Sequence, residues 1–290
     1  MIKYKIFSNA KINIGLNVFQ KESDGYHNID SIMVPIDLSD EMDVIFYSEN
    51  GELKIECSDS GIPTDERNIL SKTYKIFFES LKKENEKIDI FLKKNIPSEA
   101  GLGGGSSNAA FFLKLLNEHY GNIYNESELE ELAMKIGSDV PFFIKNKTAR
   151  VRGKGNKVEL IENNLKDSII LIKPLDFGVS TKEAYDSFDN LKEAKYADFD
   201  KIIDSLKKDN RIALENNIEN NLEQGILETN IEVKMFKMTL NSVVSGKKFF
   251  MSGSGSTYYT FVTELEKSQI ETRLKTFVDN VKIIICKTIK

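Results

Sequence analysis

From residue 10 the chain alternates: Ile12, Ile14, Leu16 and Val18 fall on one side, and Lys11, Asn13, Gly15 and Asn17 on the other. This period of two is that of a half-buried strand. Its polar side opens with a lysine and two asparagines, a face that either meets solvent or lines a cleft. Ser23-Asp24-Gly25 reads as a turn that delivers Tyr26 and His27 into a second apolar run through Ile29, Ile32, Val34 and Ile36. A hairpin is expected over 43–57 with its turn at Asn50-Gly51, then an amphipathic helix over 68–82 and a strand over 88–92.

Farther on, Ala109, Leu113, Leu116 and Tyr120 share one helical face, which Gly121 is placed to end. Ser127 with Glu130 has capping-box spacing, for a helix that uses Leu129, Leu132, Ala133 and Ile136 and stops at Gly137. A strand and glycine turn follow over 149–155. A second unit is expected from about residue 160, with strands over 169–173, 248–251 and 283–286, helices around 198–207 and 232–241, and a segment over 178–185. No repeat or low-complexity linker marks a border, and 290 residues suit two domains or one large one.

Between the strand over 88–92 and the helix after it lies Pro97-Ser98-Glu99-Ala100-Gly101-Leu102-Gly103-Gly104-Gly105-Ser106-Ser107. Glycines without a Cβ let successive N–H groups turn toward one point, and the helix that follows adds the positive end of its dipole. A polyphosphate is the natural occupant. A tight turn or linker is the plainer alternative, but a linker would not run at once into Ala109, Ala110, Phe111 and Phe112. The loop lacks the Gly-Lys-Ser/Thr ending of a P-loop and the third glycine of a dinucleotide fingerprint.

Composition narrows the partners. Hydrophobic residues at 40 % and charged residues at 29 % describe a globular chain. A net charge of −5 argues against a nucleic-acid groove, so phosphate affinity must be local. Cys57 and Cys286 offer neither a disulfide framework nor a metal knuckle and read as buried thiols of a reducing cytoplasm. No stretch reaches transmembrane length. Of the two histidines, His119 is expected to be a surface residue of the loop helix. Asp139, just before Val140-Pro141, is either a helix N-cap or turn aspartate or a functional carboxylate. The second small-residue loop, Ser252-Gly253-Ser254-Gly255-Ser256-Thr257, is a hairpin bend on its own; paired with the first it suggests a site closed from both domains.

Six segments together, AKINIGLNV, DGYH, PSEAGLGGGSSNAA, GSDVPFF, GVSTKEAY and MSGSGSTYY, give the chain a resemblance to GHMP-superfamily kinases over nearly its whole length. The resemblance implies an α+β fold, a ribosomal-protein-S5-like ATP-binding domain over 1–158 followed by a ferredoxin-like domain over 159–290. The DGYH segment, Asp24 to His27, points to the member whose acceptor is cytidine-diphosphate-linked methylerythritol. The Gly-Glu-His segment of most other members is missing. The resemblance then implies transfer of the ATP γ-phosphoryl group to that acceptor's 2-hydroxyl, in synthesis of isoprenoid precursors. It implies Asp139 as proton acceptor beside Lys11, and the loop from Pro97 to Ser107 as the ATP phosphate site. Asn13 would bond the acceptor, Tyr26, His27 and Tyr185 would hold the cytosine, and Thr181 would lie on the substrate side. Mg²⁺ is expected with ATP, held mostly by phosphate and water, with Ser106 or Ser107 in reach. Neither nucleic acid nor membrane is expected as a partner. A kinase for another alcohol, or a silent nucleotide-binding regulator, are the rival readings.

Overall fold

The computed structural model describes residues 1–289. In chain order the elements are β1 (Ile2–Lys21), β2 (His27–Asn50), β3 (Leu53–Cys57), α1 (Ile69–Leu81), β4 (Glu86–Lys93), α2 (Gly104–His119), α3 (Glu126–Ile136), α4 (Val140–Lys145), β5 (Ala149–Gly153) and β6 (Lys157–Leu160). Then come β7 (Ser168–Pro174), α5 (Thr181–Asp189), α6 (Phe199–Lys207), α7 (Arg211–Glu215), α8 (Asn221–Thr229), α9 (Ile231–Val243), β8 (Phe250–Met251), β9 (Tyr258–Val262), α10 (Glu264–Phe277) and β10 (Val281–Cys286). The fold is α+β. One compact unit comprises Met1–Ala10, Leu38–Pro97 and Gly103–Asn146, and the other Lys11–Asp37, Ser98–Leu102 and Lys147–Lys290. Packing therefore divides the chain differently from a single cut after residue 158. The reason is strand length: β1 and β2 run for 20 and 24 residues, and each gives residues to both units.

In the first unit, Glu41 to Phe46 of β2 pair antiparallel with β4, and β4 pairs parallel with β3. The hairpin expected over 43–57 does not form. The chain does turn between β2 and β3, but β4 lies between them, and a parallel β3–β4 pair needs a crossover, which α1 supplies. Strand patterning located both strands and could not name their neighbours. Helix α1 starts where Asn68 accepts the Leu70 N–H and ends at Lys82 in a left-handed conformation. It packs on α2 and α3, with Phe77, Phe78, Phe112 and Leu116 buried.

Two expectations here are corrected. Helix α3 is capped by Asn125, whose side chain accepts the Glu128 N–H while Glu128 accepts the Asn125 N–H; the Ser127–Glu130 pair lies inside the helix. Asparagine caps as well as serine, so the same spacing two residues earlier won. His119 is packed, not a surface residue: its ring stacks on Phe46 with centroids 3.8 Å apart, and Nε2 lies 3.5 Å from a Glu86 oxygen.

In the second unit the antiparallel sheet order is β10-β7-β9-β8, with helices inserted after β7 and α10 between β9 and β10. That is the ferredoxin-like arrangement. All of β7 is buried, and Ile170, Ile172, Leu222, Ile226, Leu240 and Tyr258 share a core with Leu16 and Val18 of β1. Also in this unit, Ile29 to Met33 of β2 pair with β5, and β5 with β6. Helix α10 escaped sequence reading because its 14 residues bury only Ile270 and Leu274. Cys286 is buried but Cys57 only half so, and both thiols are free. No helix among the described residues is long and apolar enough to cross a membrane.

Candidate active site

The glycine loop has the backbone that its composition predicts. Glu99, Gly101 and Gly103 all take positive φ, and Gly103 is the N-cap of α2 with no side chain capping the helix. A helix start without a side-chain cap leaves first-turn N–H groups available to a ligand. At Gly101 a second constraint applies: a Cβ would stand 1.9 Å from the Ser252 carbonyl oxygen. Ser107 Oγ, in the first turn of α2, is buried with no hydrogen-bond partner among the described residues. Beside this helix start, Lys94 Nζ lies 3.2 Å from where a Gly104 Cβ would be. Lys94 pairs with the fully buried Asp40, which also accepts the N–H groups of Asn95 and Ile96. That clamp fixes the segment leading into the loop, and it was missed in the sequence because Asp40 and Lys94 are far apart in the chain.

The polar side of β1 is buried, which settles the choice between solvent and cleft against solvent. Lys11 and Asn13 are each 3 % exposed. Lys11 Nζ donates to Asn13 Oδ1 at 2.5 Å and to the Gly101 carbonyl at 2.9 Å, and the Lys11 N–H donates to the Leu102 carbonyl. Asn13 Nδ2 donates to Ser31 Oγ, and Ser31 in turn donates to the Gly15 carbonyl. Ser252 Oγ donates to the Gly101 carbonyl and accepts the Asn13 N–H at 3.3 Å. Thus Lys11, Asn13, Gly101 and Ser252 form one cluster within the second unit. The Lys11 amine, bonded to a side-chain amide and a backbone carbonyl, is held in one position.

Asp139 belongs to the first unit. It occupies the N-cap position of α4 with φ −88° and ψ −10°, yet its side chain makes no cap bond. The plainer role, a capping aspartate, is therefore not the one its carboxylate plays.

Tyr26 is 66 % exposed, with its N–H bonded to Asp24 and Lys154 Nζ 5.5 Å from its ring centroid. His27 has a buried Nε2 with no hydrogen-bond partner among the described residues. Its side chain is buried, its Nδ1 is 2.7 Å from the Phe19 carbonyl, and Nε2 is 3.3 Å from Asp189. The ring packs on Tyr185 with centroids 5.1 Å apart and edge-on to Phe188. Tyr185 and His27 are thus brought together across more than 150 residues. Thr181 Oγ1 lies 3.3 Å from Ser254 Oγ, joining the GVST segment to the second small-residue loop. Asn220, another residue without a sequence signal, donates to the Met251 and Gly253 carbonyls and caps α8 through Oδ1.

No group of three or more His, Cys, Asp and Glu that could hold a metal ion occurs among the described residues. Mg²⁺ keeps several waters and takes few protein ligands, and the start of α2 offers it the buried Ser107 hydroxyl, which has no hydrogen-bond partner among the described residues.

A family model described as GHMP kinases N terminal domain matches residues 68–147. A 4-diphosphocytidyl-2-C-methyl-D-erythritol kinase of Fusobacterium nucleatum subsp. nucleatum is 88 % identical over 287 residues, 99 % of this chain and 98 % of the relative. A kinase of the same name from Clostridium beijerinckii is 37 % identical over 266 residues, 92 % and 93 % of the two chains. Among solved structures, a 4-(cytidine 5'-diphospho)-2C-methyl-D-erythritol kinase matches with TM-score 0.78 at 24 % identity, covering 98 % and 99 %. A homoserine kinase from Cytophaga hutchinsonii matches with TM-score 0.71 at 18 % identity, covering 99 % and 97 %. The fold is thus shared with kinases of different alcohols, and only the sequence relatives separate the acceptors.

Proposed function

The chain belongs to the 4-diphosphocytidyl-2-C-methyl-D-erythritol kinases, and on that premise we propose how its residues perform the reaction. ATP gives its γ-phosphoryl group to the 2-hydroxyl of cytidine-diphosphate-linked methylerythritol, a step in making isoprenoid precursors. The hydroxyl oxygen forms a bond to the γ-phosphorus, the bond to the ADP oxygen breaks, and the hydroxyl proton passes to the Asp139 carboxylate. Such transfer asks chiefly for alignment and charge compensation.

Alignment comes from two sides. The segment from Pro97 to Ser107 cradles the ATP phosphates through backbone N–H groups at the start of α2. Lys11 and Asn13 face the acceptor alcohol, Lys11 stabilising the oxygen as it loses its proton. Tyr26 and Tyr185 give the cytosine its stacking faces, each worth about 1–3 kcal/mol. His27, packed on Tyr185, hydrogen-bonds the edge of the base, and Thr181 lies on the substrate side. The Ser106 and Ser107 hydroxyls would help hold a phosphate-bound Mg²⁺, which would supply charge compensation. The ATP function falls to the portion up to residue 158, in the cytoplasm, with a small molecule as partner.

The observation that carries this reading is the 88 % identity across nearly the full length of both chains. ADP release with ATP, Mg²⁺ and the cytidyl acceptor, run beside homoserine and mevalonate, tests it. Turnover is expected with the cytidyl acceptor alone. Asp139→Ala is expected to lower kcat by about 10²–10⁴-fold, the range for a lost general base. Turnover with another alcohol would overturn the acceptor assignment.

A further inference from the structure

Lys173, next to last in β7, places an amine where packing alone would not. It is 8 % exposed, and its Nζ donates to Ser256 Oγ at 2.6 Å and approaches the Phe177 carbonyl at 3.5 Å. Both acceptors are neutral. Burial pulls its pKa below the ordinary lysine value, opposed by the charge of Glu99. An apolar side chain of similar length would fill the space without desolvating a charge, so the amine's contribution lies in what it holds.

What it holds is one end of the Ser252–Thr257 loop. At the other end, Ser252 Oγ is bonded to the Gly101 carbonyl and the Asn13 N–H. A Cβ on Gly253 would stand 3.1 Å from Asn13 Oδ1 and 3.3 Å from Lys11 Nζ. The loop is thus a short bar with Lys173 at one end and the Lys11–Asn13 pair at the other. Phe177, the second acceptor, immediately precedes the segment that carries Thr181 and Tyr185.

We propose that Lys173 is a positioning residue for phosphoryl transfer: by holding Ser256 and the Phe177 carbonyl it sets the Ser252–Thr257 loop and, through Ser252, the Lys11–Asn13 wall that receives the acceptor. The inference rests on the role given above to Lys11 and Asn13. A displacement of about 1 Å at a reacting group can cost about 10²-fold in rate.

Lys173→Met keeps the length and removes the donor. It is expected to lower kcat about 10- to 100-fold with the KM for ATP little changed. Ser256→Ala should act in the same direction, and the double variant should be no worse than Lys173→Met, because both remove one link. Lys247→Met is the control for lost stability, since Lys247 is also largely buried in this unit but bonds Glu266 and the Phe261 carbonyl. Without any substrate, amide exchange at Ser252 and Gly255, whose N–H groups bond within the loop, should quicken in Lys173→Met and not in Lys247→Met. Unchanged exchange in the loop, or a kcat loss no larger than that of Lys247→Met at equal loss of Tm, would overturn the proposal. Failure of the wild type to use the cytidyl acceptor would strike the functional reading instead, and the exchange comparison would still decide whether Lys173 sets the loop.

Discussion

The two loops rich in glycine and serine look alike in the sequence and are put to opposite uses. The loop from Pro97 to Ser107 ends in an N-cap that no side chain fills and a buried Ser107 hydroxyl with no hydrogen-bond partner among the described residues. The loop from Ser252 to Thr257 is tied from several sides: Asn220 bonds the carbonyls before and within it, Lys173 bonds Ser256, and Ser252 bonds Gly101 and Asn13. Among the described residues one loop leaves polar groups unbonded, the arrangement the proposed phosphate site calls for, while the other bonds its own to neighbouring segments. Composition announces a special backbone; only the partners decide whether it binds or braces.

Three substitutions sharpen that contrast. The largest effect is expected from Gly101→Ala, where the first loop meets the second. Its φ of +70° disfavours any side chain, by about 1–2 kcal/mol, and the new Cβ would stand 1.9 Å from the Ser252 oxygen. Loss of most activity together with a lowered Tm is the expected outcome in paired kinetic and thermal measurements. Asn220→Ala should come next. It frees two buried carbonyls and a helix N-cap, each typically worth about 1 kcal/mol, so chemical denaturation should show a clear loss of stability. Ser107→Ala should do the least to the fold: removing a buried hydroxyl without a partner leaves stability unchanged or slightly raised. Its expected mark is a higher KM for ATP measured at limiting Mg²⁺. A Ser107→Ala protein as destabilised as Asn220→Ala would break the distinction between a binding loop and a braced one.

Much of the site could be read locally. The alternation around Lys11 and Asn13 put both on one face of a strand, and the structure buries that face. The glycine run placed the start of α2, and periodicity placed α1 and its ends. The misreadings share a cause. The expected hairpin over 43–57 failed because β4, thirty residues on, pairs between the two strands. His119 was taken for a surface residue although Phe46 and Glu86, distant in sequence, enclose it.

The sequence by itself determined where the chain is strand, helix or special turn, because periodicity, capping and positive-φ glycines act over a few residues. It also determined family and acceptor, because those motifs are strings. Only the tertiary structure decided which strands are neighbours, and that Asn220 and Lys173 hold the second small-residue loop. These are contacts between residues far apart in the chain, set by how apolar faces pack, and no local pattern encodes them.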